Sequence, residues 1–200
     1  MARLFSFKPS LTFKGRKFKG IRGFSGKPFH PPLTDITVAA YFLLAAFDLV
    51  SYVAFKMDRL EVAADFYVSA TNVVLAGAIV SVPTILTGFW DWLKSTPKHS
   101  QAWRTANAHM AIMLTVSMLV AANLVMRLAY YGADLKYPDL TILVLSLLIG
   151  GLVSWGAVYG GTMVYEYGFN VEQDFDHAYS ESEVDKYPGQ KDTPAQEPSS

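Results

Sequence analysis

Four apolar stretches, at residues 33–55, 66–90, 105–126 and 140–165, each match or exceed the ~20 residues that cross a ~30 Å hydrocarbon layer as an α-helix. No other feature restricts the fold so strongly. Inside lipid every backbone N–H and C=O must be satisfied by the segment itself, which leaves only helices or a closed barrel. The intervening segments 56–65, 91–104 and 127–139 are short and polar or charged, and the last two hold Pro97, Gly132 and Pro138 where chain reversals belong. Short loops set successive helices side by side in opposite directions. The expected fold is therefore all-α: an integral membrane four-helix antiparallel bundle over residues 33–170, between a basic arm (1–32) and an acidic flexible tail (171–200).

Composition agrees, with 52% apolar residues against 17% charged. The chain has no cysteine, which excludes a disulfide framework, thiolate-held iron–sulfur clusters and c-type haem attachment. Any metal has to be held by nitrogen, oxygen or methionine sulfur.

Formal neutrality hides a segregated charge. Eight Lys/Arg and no acid lie in the first 30 residues, including Lys14, Arg16, Lys17, Lys19 and Arg22, whereas nine acids follow Tyr165. The arm and the loop after helix 2 together carry eleven basic residues, against four in the other two loops, so the positive-inside rule places both termini in the cytoplasm. Residues 1–30 hold no apolar core of signal-peptide type, so helix 1 is expected to be its own insertion signal. The arm, with six phenylalanines among its bases, suits contact with anionic lipid head groups or with a protein partner, and nucleic acid is not expected.

This topology gathers polar residues at one membrane face. His30 and Asp35 stand at the start of helix 1, Thr87 and Asp91 at the end of helix 2, Asn107 and His109 early in helix 3, and Tyr165 and Glu166 at the end of helix 4. An ionisable side chain within a membrane helix is by default a functional candidate. His30 and His109 are candidate ligands of a b-type haem, and with Asp35 and Asp91 they also make a candidate divalent-metal site, since imidazole and carboxylate suit Zn, Mn or Fe. Each has a structural alternative: Asp35 as a first-turn dipole partner, His30 as an interfacial residue, His109 as an interhelical hydrogen bonder and Asp91 as a solvated loop residue. Asp48 lies deeper, and Arg127 is its nearest plausible partner, in a structural ion pair rather than a proton relay.

Four motifs carry a resemblance: "HPPLTDITVAAYFLLAAFDL" from His30, "TGFWDW" from Thr87, "ANAHM" from Ala106 and "GGTMVYEYGFNVE" from Gly160. In this order they resemble a bacterial four-helix membrane family, domain of unknown function 2231. The resemblance marks His30, Pro31, Asp35, Gly88, Asp91, Trp92, His109, Gly160, Gly161, Tyr165 and Gly168 as motif positions. It implies a bacterial inner-membrane location, and relatives often carry histidine where Asp35 and Thr162 stand here. Some relatives look fused to, or encoded beside, redox proteins, which implies electron transfer. No nucleophile–base motif, phosphate loop or zinc-protease signature is present, so an enzyme acting on its own is not expected. The reading favoured is an accessory or structural subunit of a membrane electron-transfer assembly, in contact with other membrane or redox subunits. The alternative is a haem- or metal-binding redox protein that uses His30 and His109.

Overall fold

The computed structural model describes residues 20–23, 27–129, 136–169 and 171. Lys14, Arg16, Lys17, Lys19 and the tail after 171 lie outside the described residues.

Four helices account for the architecture: α1 (His30–Lys56), α2 (Leu60–Ser95), α3 (Gln101–Ala129) and α4 (Leu140–Tyr165). All four are long and apolar enough to cross a membrane, and together they form an all-α membrane bundle. They run round a ring in chain order. α1 packs on α2 and α4, α3 packs on α4 and only thinly on α2, and the backbones of the diagonal pairs stay apart.

A seven-residue rhythm produces this ring. The buried residues recur as Thr37, Leu44 and Ser51 with Tyr41 and Asp48 on α1, and as Ala63, Ala70, Gly77, Thr84 and Asp91 with Val74 and Ser81 on α2. On α3 they are Val116 and Asn123 with Val120 and Arg127; on α4, Ile142, Ile149 and Gly156 with Ser146 and Val153. Such spacing keeps one narrow seam of each helix turned to its neighbours. Small seam residues let backbones approach, as is usual between helices in lipid. A Cβ added at Gly77 would stand 2.7 Å from Ala40 Cβ, and one at Gly150 would stand 2.6 Å from Ala45 Cβ.

The helices overrun the apolar stretches, and two site expectations change in consequence. α1 begins at His30, because the prolines occupy its first turn, where a missing N–H costs nothing. His30 is thus a helical residue, and Asp35 falls beyond the first turn, exposed, and does not cap the helix. α2 continues to Ser95, so Asp91 is a buried helical residue (3% exposed) rather than a solvated loop residue.

One polar layer inside the seam joins all four helices. Arg127 on α3 pairs with Asp48 on α1, and both side chains are buried. Arg127 Nε donates to Asn123 Oδ1 (2.7 Å) and Nη1 to Thr71 Oγ1 on α2 (2.9 Å), while the guanidinium lies over the Tyr67 ring. Ser146 on α4 donates to Asp48 Oδ2 (2.5 Å) and accepts from Asn123 Nδ2 (2.9 Å). At the end of the bundle beyond this layer, the Phe55 and Tyr137 rings stack with centroids 3.4 Å apart, and Asp139 caps α4 by accepting from the Ile142 amide at 2.7 Å.

Removing one member of a buried ion pair strands the other charge, at a typical cost of about 3–5 kcal/mol. Arg127→Leu is therefore expected to lower unfolding stability in mixed micelles by about that amount, and the double variant Asp48→Leu/Arg127→Leu to recover most of it. Equal losses in the single and double variants would deny the coupling.

Candidate functional site

At the opposite end, where α1 and α3 begin and α2 and α4 finish, the four sequence motifs meet. His30 on α1 reaches α2: Nδ1 lies 3.0 Å from the Thr84 carbonyl oxygen and 3.3 Å from Thr87 Oγ1. His109 on α3 reaches α4, with Nδ1 2.8 Å from the Gly156 carbonyl oxygen. A peptide carbonyl only accepts, so each contact puts the ring proton on Nδ1 and leaves the lone pair on Nε2. Neither Nε2 makes a hydrogen bond among the described residues. The imidazoles come from diagonal helices.

Glycines make room for both rings. A Cβ on Gly88 would stand 2.5 Å from His30 Cε1, so only glycine admits His30 there. A Cβ on Gly160 would stand 3.4 Å from His109 Cε1, and one on Gly156 would meet Met113 Cε at 2.9 Å. Met113 is thus a packing residue against α4. Gly161 has no such duty, its nearest neighbour being Tyr165 Cδ2 at 3.9 Å.

Asp35 and Asp91 do not join the histidines as metal ligands. Asp35 is exposed, because it stands two positions before the buried Thr37 and therefore about 200° round the helix. Asp91 accepts from the Ile21 amide instead (Oδ1, 3.2 Å). Among the described residues no three of His, Asp and Glu converge as a metal-holding group. Tyr165 also stands apart, 87% exposed.

Asp91 holds a strap. The chain before α1 turns back on itself, the Gly23 amide donating to the Lys27 carbonyl (2.7 Å) and the Phe29 amide to the Ile21 carbonyl (3.0 Å), with Arg22 and Pro28 bridged through their main chains. Asp91 thereby ties residues 21–23 and, through their bonds to 27–29, the start of α1 at His30 to the end of α2. Beside it, Trp92 Nε1 donates to Asn107 Oδ1 (2.8 Å) and fastens α2 to α3, the pair of helices that otherwise touch least. The sequence signal for this contact was a pair of polar motif positions flanking one loop.

The polar run on α2 is interior. Thr84 Oγ1 lies 3.2 Å from Thr37 Oγ1, and Thr87 donates to the Pro83 carbonyl at 2.8 Å. Ser81 is buried as well, whereas Asn72 is exposed on the outer side of the helix.

Helix lengths, ring order and the polar end layer define a multi-pass membrane four-helix bundle whose sequence motifs interlock at one end. Residues 26–173 match the model of the family described as "Predicted membrane protein (DUF2231)", and the chain belongs to that family. No curated protein and no solved structure matches it.

Gly88→Ala is expected to displace His30 and lower the thermal midpoint of the purified protein by several degrees. Gly151→Ala, whose Cβ meets nothing within 4 Å, is expected to leave the midpoint unchanged or raise it slightly. The comparison separates steric displacement from a general intolerance of larger residues. Asp91→Ala is expected to release the strap, read as faster protease cleavage within residues 21–29 while the helices stay resistant; unchanged cleavage would mean that Asp91 does not hold it.

Proposed function

We propose that this is a multi-pass protein of the bacterial inner membrane with both termini in the cytoplasm, and that it serves as a subunit of a membrane electron-transfer assembly with a bis-imidazole haem site at its cytoplasmic end. One observation carries the reading: two half-buried histidines on diagonal helices hold their Nδ1 protons against backbone carbonyls, and neither Nε2 makes a hydrogen bond among the described residues. A backbone carbonyl on Nδ1 is the outer partner that fixes the tautomer of a ligating histidine. The donor set also bears on the choice of ligand. A bare divalent ion wants four or more donors, and among the described residues no third His, Asp or Glu joins these two. A haem brings four nitrogens of its own, so His30 and His109 would suffice to hold it.

When bound, such a haem supplies one-electron chemistry. The chain's own residues orient the ligands: Thr84 and Thr87 hold His30, Gly156 and Gly160 set the position of His109, and Asp91 ties the segment before α1 to the end of α2. Lys14, Arg16, Lys17, Lys19 and Arg22 then face anionic lipid or an acidic partner subunit, with about 1 kcal/mol for each basic residue near the head groups.

A second reading, an accessory scaffold without a cofactor, draws support from Asp91, Trp92 and Asn107, all engaged in holding the bundle end together. The reduced-minus-oxidised visible spectrum, recorded on native membranes and on protein purified in mild detergent, separates the two. The haem reading expects sharp difference bands that vanish in His109→Ala while membrane insertion is unchanged. Folded protein that is colourless in both preparations would overturn it and favour the scaffold, for which removing residues 1–27 is expected to abolish partner assembly.

A further inference from the structure

Asn72 departs from the rule that other polar side chains on the outer surface follow. It is exposed on the outer side of α2, between the carboxylates of Asp65 and Asp91. The uncharged stretch between those acids is about 38 Å long at 1.5 Å per residue, and Asn72 lies about 9 Å from its middle. A ~30 Å hydrocarbon layer centred on that stretch contains Asn72. Hydroxyls elsewhere on the outside close on their own helix: Ser69 donates to the Asp65 carbonyl (2.7 Å), Thr115 to Ala111 (2.9 Å) and Ser154 to Gly150 (2.8 Å). The Asn72 carboxamide makes no hydrogen bond among the described residues, and lipid tails offer it neither donor nor acceptor.

We propose that Asn72 centres a homodimer interface, in which the outer face of α2 packs against the same face of a second copy and the two carboxamides bond to each other. Three observations select this occupant. The face is open, because α2 packs on α1 and only thinly on α3. A carboxamide carries both N–H donors and a carbonyl acceptor, so a two-fold axis along the membrane normal sets it against a matching group. Ala76 lies one turn further along the same face and is also exposed, which lets two backbones approach, while Val68, Leu75 and Ile79 supply apolar contact at its flanks. A single asparagine in an otherwise apolar seam is a known device for fixing register and partner number.

The absence of cysteine makes the test direct. Full-length protein carrying Val68→Cys is oxidised in native membranes, with Trp155→Cys on the outer face of α4 as the control. The expected result is one product at twice the 22.1 kDa chain mass from Val68→Cys and little from Trp155→Cys. Adding Asn72→Leu is expected to reduce that product at least fivefold, and adding Asn72→Gln to retain most of it. Light scattering on the cysteine-free protein in mild detergent is expected to give a dimer that Asn72→Leu turns into monomer. Because Asn72 is exposed, its replacement leaves the protomer's packing intact. The proposal is overturned by a monomer in both assays, by a dimer indifferent to Asn72→Leu, or by a Val68→Cys product that joins a different protein.

Discussion

A carboxylate without a partner in hydrocarbon is costly, and Asp48 is fully buried on α1, so it has to be paired. Its pairing with Arg127 decides much else. The guanidinium takes Asn123 and Thr71 as further acceptors, and Ser146 closes the ring from α4, so each helix contributes a polar atom at one depth. A one-turn slip of any helix would withdraw its group by ~5.4 Å and leave another unsatisfied. Apolar seams in lipid tolerate sliding, since tails solvate leucine as well as a neighbouring helix does. The polar layer supplies the register that they lack.

The same demand for satisfied polar groups shapes the opposite end with a different outcome. There each histidine uses one nitrogen on a backbone carbonyl and keeps the other free, glycines on α2 and α4 clear the space, and Asp91 and Trp92 secure the chain segments round them. The layer within the bundle is thus closed by an ion pair. The end near His30 and His109 is held in shape with two lone pairs unbonded among the described residues. This contrast separates a structural layer from a candidate site within a single seven-residue pattern.

The helices were legible because length and apolarity alone determine what can cross a bilayer, and Asp48 with Arg127 because a buried charge has so few possible partners. The gathering of His30 and His109 at one end follows from counting turns. Other features depend on rotation about the helix axis and on where each helix stops. Bounding the arm at residue 32 leaves His30 before helix 1, although prolines in a first turn permit a helix that already contains His30. Asp35 shares its depth with His30 yet faces outward, whereas Asp91, in step with Thr84 and Thr87, faces inward. Asn72 belongs by composition with Ser81 and Thr84, but its angle round α2 puts it on the outside.

A two-imidazole site requires one tautomer of both rings, which nitrogen NMR of histidine-labelled protein in bilayers reads directly. Signals from His30 and His109, assigned by single replacement of each, are predicted to show a protonated Nδ1 and an unprotonated Nε2. A proton on Nε2 of either ring would remove its free lone pair and contradict the two-imidazole site.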